Sequence, residues 1–377
     1  MMERRLGAAL CFAAIAFAAC GRGETLVGVV AGLSGIQSEL GVAGRNGAIL
    51  RVEEANAAGG RFRIVAMDDR NDPATVPGIL AELEAQGVAA VIGPFTSSLT
   101  AAALEKPGKL LLISPTASAK RFHGHDDALF RTMASADLAA AKLAETAREL
   151  FGSRGVVAIW DERNRIYAKD YLAAFSAAWR SGAVWSELSS PELASIAEAE
   201  LVSWGFSSEE ACLSGASAVA SGAGRRDALL IANGADAATM IRRLRRDGFA
   251  GRIMVAGWAV TSDLAGQGTG ILNGIVFSQQ YDLAQRNAPL DAFKERYRIR
   301  FGEEPSFGAV FGYEATDALL RAYAAGRARD AEGLKRALLS LPPFEGLQGP
   351  FAFDEFGDPL RDAFVFEFKD GSTVRLR

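Results

Sequence analysis

AAVIGPFTSSLTAAALEKPGKLLLISPTAS, residues 89–118, holds two short apolar runs that each end in a loop of small hydroxyl residues. Ala89–Ile92 and Leu110–Ile113 read as buried parallel strands, because near-continuous apolar runs bounded by Gly, Pro or Asp fit strands covered on both faces. A helix beginning near Ala101 joins them, which is the βαβ order. Working outward, Leu26–Val30 and Phe62–Met67 are further strands. The helix expected over Arg45–Asn56 sets Ala48, Val52 and Ala55 on one face and stops at Gly59-Gly60. Pro77–Gln86 likewise sets Ile79, Leu80 and Leu83 inward.

A second set follows, with strands expected at Val156–Trp160, Val184–Leu188, Ala228–Ile231, Ile253–Ala256 and Ile275–Ser278, and helices at Tyr171–Trp179 and Ala237–Arg246. The Ser-, Ala- and Gly-rich segment Ser189–Arg226 is longer than one connection needs, and Pro191–Trp204 reads as an extra helix. Helices return at Leu290–Phe301 and Tyr313–Ala325. Ala363–Lys369 and Thr373–Leu376 flank Asp370-Gly371, a dipeptide suited to a type I′ hairpin. The fold class is α/β, with two doubly wound Rossmann-like lobes.

Composition agrees. The chain has 377 residues, 49% hydrophobic and 23% charged; at ~150 residues per domain this favours two domains. With 41 Lys+Arg against 45 Asp+Glu it lacks the basic face that phosphate binding needs, so nucleic acid is not an expected partner. Two histidines and three cysteines leave little for His-based catalysis or a thiolate metal cage.

At the N-terminus, Arg4 and Arg5 precede the apolar run Leu6–Ala19, the charged and apolar regions of an export signal. The run is too short to span a bilayer comfortably. Phe17-Ala18-Ala19-Cys20 resembles a bacterial lipobox, with Phe17 where Leu is usual, so residues 1–19 read as a lipoprotein signal peptide and Cys20 as the lipidated residue. An ordinary signal peptide with an incidental cysteine is the alternative. Cys11 leaves with the signal, and Cys212 reads as a small buried hydrophobe.

Several motifs exclude chemistry. Gly32-Leu33-Ser34-Gly35 follows the first strand without the third glycine of a dinucleotide loop, and Gly266-Gln267-Gly268-Thr269-Gly270 does not follow a strand, so no nucleotide cofactor is expected. There is no G-x-S-x-G, H-E-x-x-H or C-x-x-C. His123-Gly124-His125-Asp126-Asp127 has ligand-type residues but nothing to complete a metal shell, and reads as a surface loop. Arg242, Arg243, Arg245 and Arg246 read as a solvated helix end. An exported hydrolase using Ser97 or Ser34 needs a base that neither histidine supplies from a strand-end loop.

The loops of the opening stretch carry more. Gly93–Ser98 and Ser114–Ser118 bring hydroxyls and free helix-start amides together beyond adjacent strand ends, which suits an anionic or strongly polar ligand group. Either loop alone could be mere helix capping.

At these residues the sequence resembles the branched-chain amino-acid type of periplasmic solute-binding proteins, the type I bilobed receptors of ABC importers. The resemblance is carried by Gly32–Gly35, Glu54–Gly60, Asp68-Asp69 with Asp72-Pro73, Val91–Pro94 with Ser97-Ser98, and Ile113–Pro115. Phe130–Thr132, Tyr167, Tyr313–Ala315, Phe353-Asp354 and Gly357-Asp358 complete it. It implies a three-strand hinge with crossovers near Ala136, Asp282 and Leu347, giving lobe 1 as 24–135 plus 282–346 and lobe 2 as 136–281 plus 347–377. It also implies a ligand carboxylate held at Ser97, Thr116 and Ser118. The family's ammonium-binding acid falls where this chain has Gly257-Trp258, and the covering aromatic is replaced by Leu40. Asp161, Asp236 or Asp263 could supply a displaced carboxylate.

The candidate ligand-binding set is therefore Ser97, Ser98, Thr116, Ala117, Ser118, Tyr167, Asn233 and Trp258, with no catalytic residue, metal or cofactor. The reading is a monomeric lipoprotein on the periplasmic face of a bacterial membrane that closes on a small polar solute, an amino acid or a carboxylate-like one, for an ABC permease. Solutes lacking an α-ammonium are expected to be preferred over leucine, isoleucine and valine. A sensing or enzyme-regulating lipoprotein of the same fold is the rival.

Overall fold

The computed structural model describes residues 23–35, 38–191, 200–224, 226–326 and 329–377. The signal segment, the lipobox and Cys20 lie outside them. Two sheets organise the chain. The first contains β1 (Thr25–Ala31), β2 (Phe62–Asp68), β3 (Ala90–Ile92), β4 (Leu111–Ser114) and β5 (Leu129–Arg131), all parallel, in the order β2-β1-β3-β4-β5. The second contains β6 (Val156–Asp161), β7 (Ser186–Glu187), β8 (Leu201–Phe206), β9 (Asp227–Ile231), β10 (Ile253–Ala256) and β11 (Val276–Gln279). After the small hairpin β12 (Phe344–Gly346) and β13 (Gly349–Phe351), the second sheet is completed by β14 (Phe364–Lys369) and β15 (Ser372–Arg375), in the order β15-β14-β11-β10-β9-β6-β8-β7. β14 and β15 are antiparallel additions at one edge.

Each sheet is covered on both faces, as parallel strands require. The first lies between the helices Glu39–Ala57, Ala288–Phe301 and Phe307–Ala325 on one side and Val76–Ala85 and Ser97–Glu105 on the other. The second lies between Glu209–Gly222 with Gly234–Arg246 and Ala136–Glu145 with Arg165–Trp179. Cys212 is fully buried in this second core. The α/β class and the doubly wound lobes expected from sequence are the architecture found.

Several elements differ from expectation. The first helix begins at Glu39, not Arg45. Its glycines, which lower helix propensity, are demanded by packing: a Cβ on Gly47 would overlap the Ala309 carbonyl, and one on Gly312 would overlap the Gly44 backbone. The helix expected near Ala101 begins at Ser97. Of the extra helix expected over Pro191–Trp204, residues 192–199 lie outside the described set, and Leu201–Trp204 belong to β8, paired with β6 along its whole length. Val184–Leu188 supplies only the two-residue edge strand β7. The hairpin at Asp370-Gly371 forms, with φ of 50° and 78°, the two positive values that a type I′ turn needs.

The chain passes between the sheets over 132–135, 280–287 and 352–363. The third passage runs later than Leu347, because Leu347 and Phe351 are buried in the first lobe's core. The His123 loop is no free surface loop either: Gly124 N donates to Asp358 Oδ2 at 2.9 Å and His123 Nδ1 lies 3.4 Å from the same oxygen. Among the arginines of Gly234–Arg246, Arg242 donates to Gln267 Oε1 within the Gly266–Gly270 segment, and Arg245 donates to the Ile271 and Asn273 carbonyls just beyond it.

Candidate functional site

In doubly wound sheets ligands settle beyond the carboxyl ends of the strands, where the strand order reverses. Here the reversal between β1 and β3 faces the reversal between β6 and β9. Two adjoining pockets lie in the gap and share Leu40, Phe95, Thr96, Asn164 and Trp258. Ser97, Thr116, Ser118, Met133, Tyr167, Gln279 and Gln280 line the second alone, whereas Glu39, Asn71, Arg163, Asn233, Thr261 and Asp263 line the first alone.

The hydroxyls have defined roles. Ser97 Oγ accepts from Ala119 N at 3.2 Å, which leaves its proton available to a ligand. Thr116 Oγ1 donates to the Phe95 carbonyl at 2.5 Å and keeps only acceptor capacity toward the pocket. Anion binding at this end therefore falls to the Ser97 hydroxyl and to backbone amides. Ser97 opens a nine-residue helix, so its amide has no intrahelical acceptor, and among the described residues the Thr116 and Ser118 amides make no backbone hydrogen bond.

Across the cleft, Tyr167 sits in the first turn of Arg165–Trp179, 6% exposed, edge-on to Trp258 with ring centroids 5.9 Å apart. Burial pushes its hydroxyl well above the ordinary tyrosine range, so it stays protonated. Gly257 begins a short 3₁₀ turn after β10, and a Cβ there would stand 2.6 Å from the Ser278 carbonyl and 3.2 Å from Gln279 Cα. No acidic side chain fits at that position. Gln279, 1% exposed, lines the pocket beside it.

The expected substitutes for that acid divide. Asp161 is fully buried and holds Arg163 through two bonds of 2.7 Å, and the same guanidinium reaches Asp236. Asn233 caps Gly234–Arg246, accepting from Asp236 N at 3.1 Å and donating to Asp236 Oδ2 at 2.6 Å. Asp161 and Asp236 are therefore committed to one ion-paired network, and only Asp263 of the three lines the cleft.

Two members of the sequence-derived set lie elsewhere. Ala117 is fully buried in the core under Ser97–Glu105. Ser98 joins the lobes instead: its amide donates to Asn164 Oδ1 at 3.1 Å and its Oγ accepts from Ile166 N at 3.4 Å. Glu39, Arg163, Asn164, Thr261 and Gln279 were not legible as lining. Glu39 opens a helix, where an acid ordinarily just complements the dipole, and the others depend on how the lobes meet.

Two α/β lobes presenting strand-end loops to one another across a cleft define a bilobed solute-binding protein. The model of the family described as "Periplasmic binding protein" matches residues 25–373. The chain belongs to that family, whose members work outside the cytoplasm as solute-binding proteins and not as enzymes. It is 24% identical over 389 residues to Leu/Ile/Val-binding protein homolog 1 of Brucella abortus (strain 2308), covering 94% of this chain and 92% of that one. In fold it is similar to the branched-chain amino acid transporter substrate-binding protein LivJ of Streptococcus pneumoniae in complex with isoleucine (TM-score 0.77, 23% identity, 94% and 100% coverage). It is also similar to a solute-binding protein of an ABC transporter from R. palustris in complex with benzoate (TM-score 0.79, 19% identity, 94% and 96% coverage). Among the described residues no helix is long and apolar enough to cross a membrane.

Proposed function

We propose that the protein captures a small carboxylate-bearing solute between its lobes and presents the closed form to an ABC permease, acting as a monomer tethered through lipid on Cys20. The passages over 132–135, 280–287 and 352–363 serve as the hinge between the lobes. The observation that carries the reading is the hydroxyl and amide cluster of Ser97, Thr116 and Ser118 at one end of a cleft that both lobes line. Isoleucine and benzoate, held by two proteins of this fold, share a carboxylate and little else. The blocked position at Gly257 supports solutes without an α-ammonium, since an unpaired buried cation costs several kcal/mol.

A thermal-shift screen of amino acids beside their deaminated analogues, followed by calorimetry, tests this. The deaminated analogues should bind more tightly, and Ser97→Ala should weaken them roughly 10-fold or more, the value of a hydrogen bond to a charged group. Micromolar binding of leucine, isoleucine or valine would overturn the selectivity. An unweakened Ser97→Ala variant would remove the carboxylate from this end. For the anchor, Cys20→Ala should release the protein from membranes, and unchanged retention would refute lipidation.

A further inference from the structure

The end of the cleft away from the hydroxyl loops is acidic from both sides. Glu39, from the first lobe, and Asp263, from the second, line the same pocket. Ser262 Oγ donates to Glu39 Oε1 at 3.0 Å, and the buried Ser306 hydroxyl also faces the carboxylate, whose Oε2 makes no hydrogen bond of ordinary geometry among the described residues. Burial holds the Glu39 carboxyl above its usual range, with the charge of Asp263 adding to this, and burial does the same to Asp263. A second, independent feature lies in the same pocket: Thr261 is 4% exposed, and its Oγ1 has no partner among the described residues.

The cation lining this pocket, Arg163, is already shared between Asp161 and Asp236. It does not neutralise Glu39 and Asp263. Two like charges on opposite lobes oppose closure of an empty cleft, and a cation between them would remove that opposition. Among the described residues no group of three or more His, Cys, Asp or Glu could hold a metal ion; an ammonium, with protons to give to Glu39 and Thr261, suits two carboxylates and a hydroxyl.

We infer that the Glu39–Asp263–Thr261 end of the cleft accepts an ammonium group of the solute, so that the preferred ligand is a zwitterion with its amine several carbons away from its carboxylate. The separation follows from the lining: the carboxylate end (Ser97, Thr116, Ser118) and the acidic end have no residue in common, and Leu40, Phe95 and Trp258 lie in the stretch that both pockets share. An α-amino acid, with both charges on one carbon, satisfies one end only. This rests on the solute-binding reading given above and names the chemistry of its ligand.

Four five-carbon probes separate the possibilities: pentanoate, norvaline, 5-aminopentanoate and pentylamine, titrated calorimetrically into the wild type, Glu39→Gln and Asp263→Asn. In parallel, protein purified from its own host is denatured and any released solute identified by mass spectrometry. The expected result is 5-aminopentanoate binding about 10-fold or more tighter than the other three, with each variant losing about 10-fold for it while binding pentanoate no more weakly than the wild type, since removing one like charge eases closure. Equal binding of pentanoate and 5-aminopentanoate, or variants that bind 5-aminopentanoate as the wild type does, would overturn the ammonium site while leaving the solute-binding reading intact. If no probe binds, a released solute with its amine remote from its carboxylate supports the site, and one without a cationic group overturns it. No binding together with no released solute overturns both readings.

Discussion

Asp69, fully buried after β2, accepts a hydrogen bond from Asn71 N at 2.9 Å, while its second oxygen has no partner among the described residues. Burial, aided by the charge of Asp68, pushes its pKa from 3.8 up to about 6. Between those values the folded protein holds a proton that the unfolded chain has lost, so this group's contribution to stability falls as pH rises through that window. His123 behaves oppositely. Burial, then the nearby Arg131, brings it from 6.5 down to about 4, so over that range the unfolded chain holds the extra proton and stability rises with pH. The two slopes oppose one another in the wild type. In thermal melts between about pH 4 and 6, Asp69→Asn should steepen the rise of Tm with pH, and His123→Gln should turn it toward a fall. Profiles parallel to wild type in both variants would show that neither group titrates as its burial requires. Such residues mark the limit of reading a site from sequence: Asp161, Asp236 and Asp263 are alike as letters, and only the position of Arg163 shows which are committed.

The linking segment 352–363 is fixed to the first lobe by an ion pair that burial makes important. Arg361 stands 2.7 Å from Glu314 of the helix Phe307–Ala325, with the side chains 8% and 2% exposed, and the guanidinium lies 4.0 Å over the Phe351 ring. Removing one partner strands the other charge, so Arg361→Ala should cost about 3–5 kcal/mol in urea unfolding, and the double variant Arg361→Leu/Glu314→Leu clearly less. A double variant no more stable than the single would show that the charge is not the cause. At this scale the parallel strands were legible because burial on both faces leaves an uninterrupted apolar run. β8 was not, since Ser203, Trp204 and Gly205 interrupt Leu201–Phe206 and its approach is rich in Ala and Glu. The start of Glu39–Ala57 was hidden by Gly41 and Gly44, which make room for the Gly32 backbone and the Phe95 ring, as Gly47 does for the Ala309 carbonyl of a helix more than 200 residues away in sequence.

For the whole molecule, closure is written in contacts between the lobes. Ser98 meets Asn164 and Ile166 at one rim, Arg121 pairs with Asp170 at 2.6 Å, and Ser262 meets Glu39 at the other. Exposed pairs contribute about 0–1 kcal/mol each, so this set holds the lobes weakly and leaves the decision to the solute. Asn164→Ala should therefore raise the radius of gyration of the solute-free protein in small-angle scattering, and a bound solute should lower it again. A tight-binding solute that leaves the curve unchanged would mean a fixed scaffold. The two-lobe plan could be read from sequence because it is a succession of βα units, and the two hydroxyl loops because each directly follows one apolar strand. The acidic end could not, because it exists only where two lobes meet. The glycine-lined packing of Glu39–Ala57 against Phe307–Ala325 has a further consequence, in the order of assembly. The 249 residues from 58 to 306 separate these helices, and at synthesis rates of ~5–20 residues per second the first waits roughly 10–50 s for its partner. The inserted second lobe gathers most of its core from the contiguous stretch 136–279 and can form meanwhile. The first lobe stays unfinished until the ribosome is near the end of the message, and until then part of its first sheet waits without the cover that Phe307–Ala325 supplies.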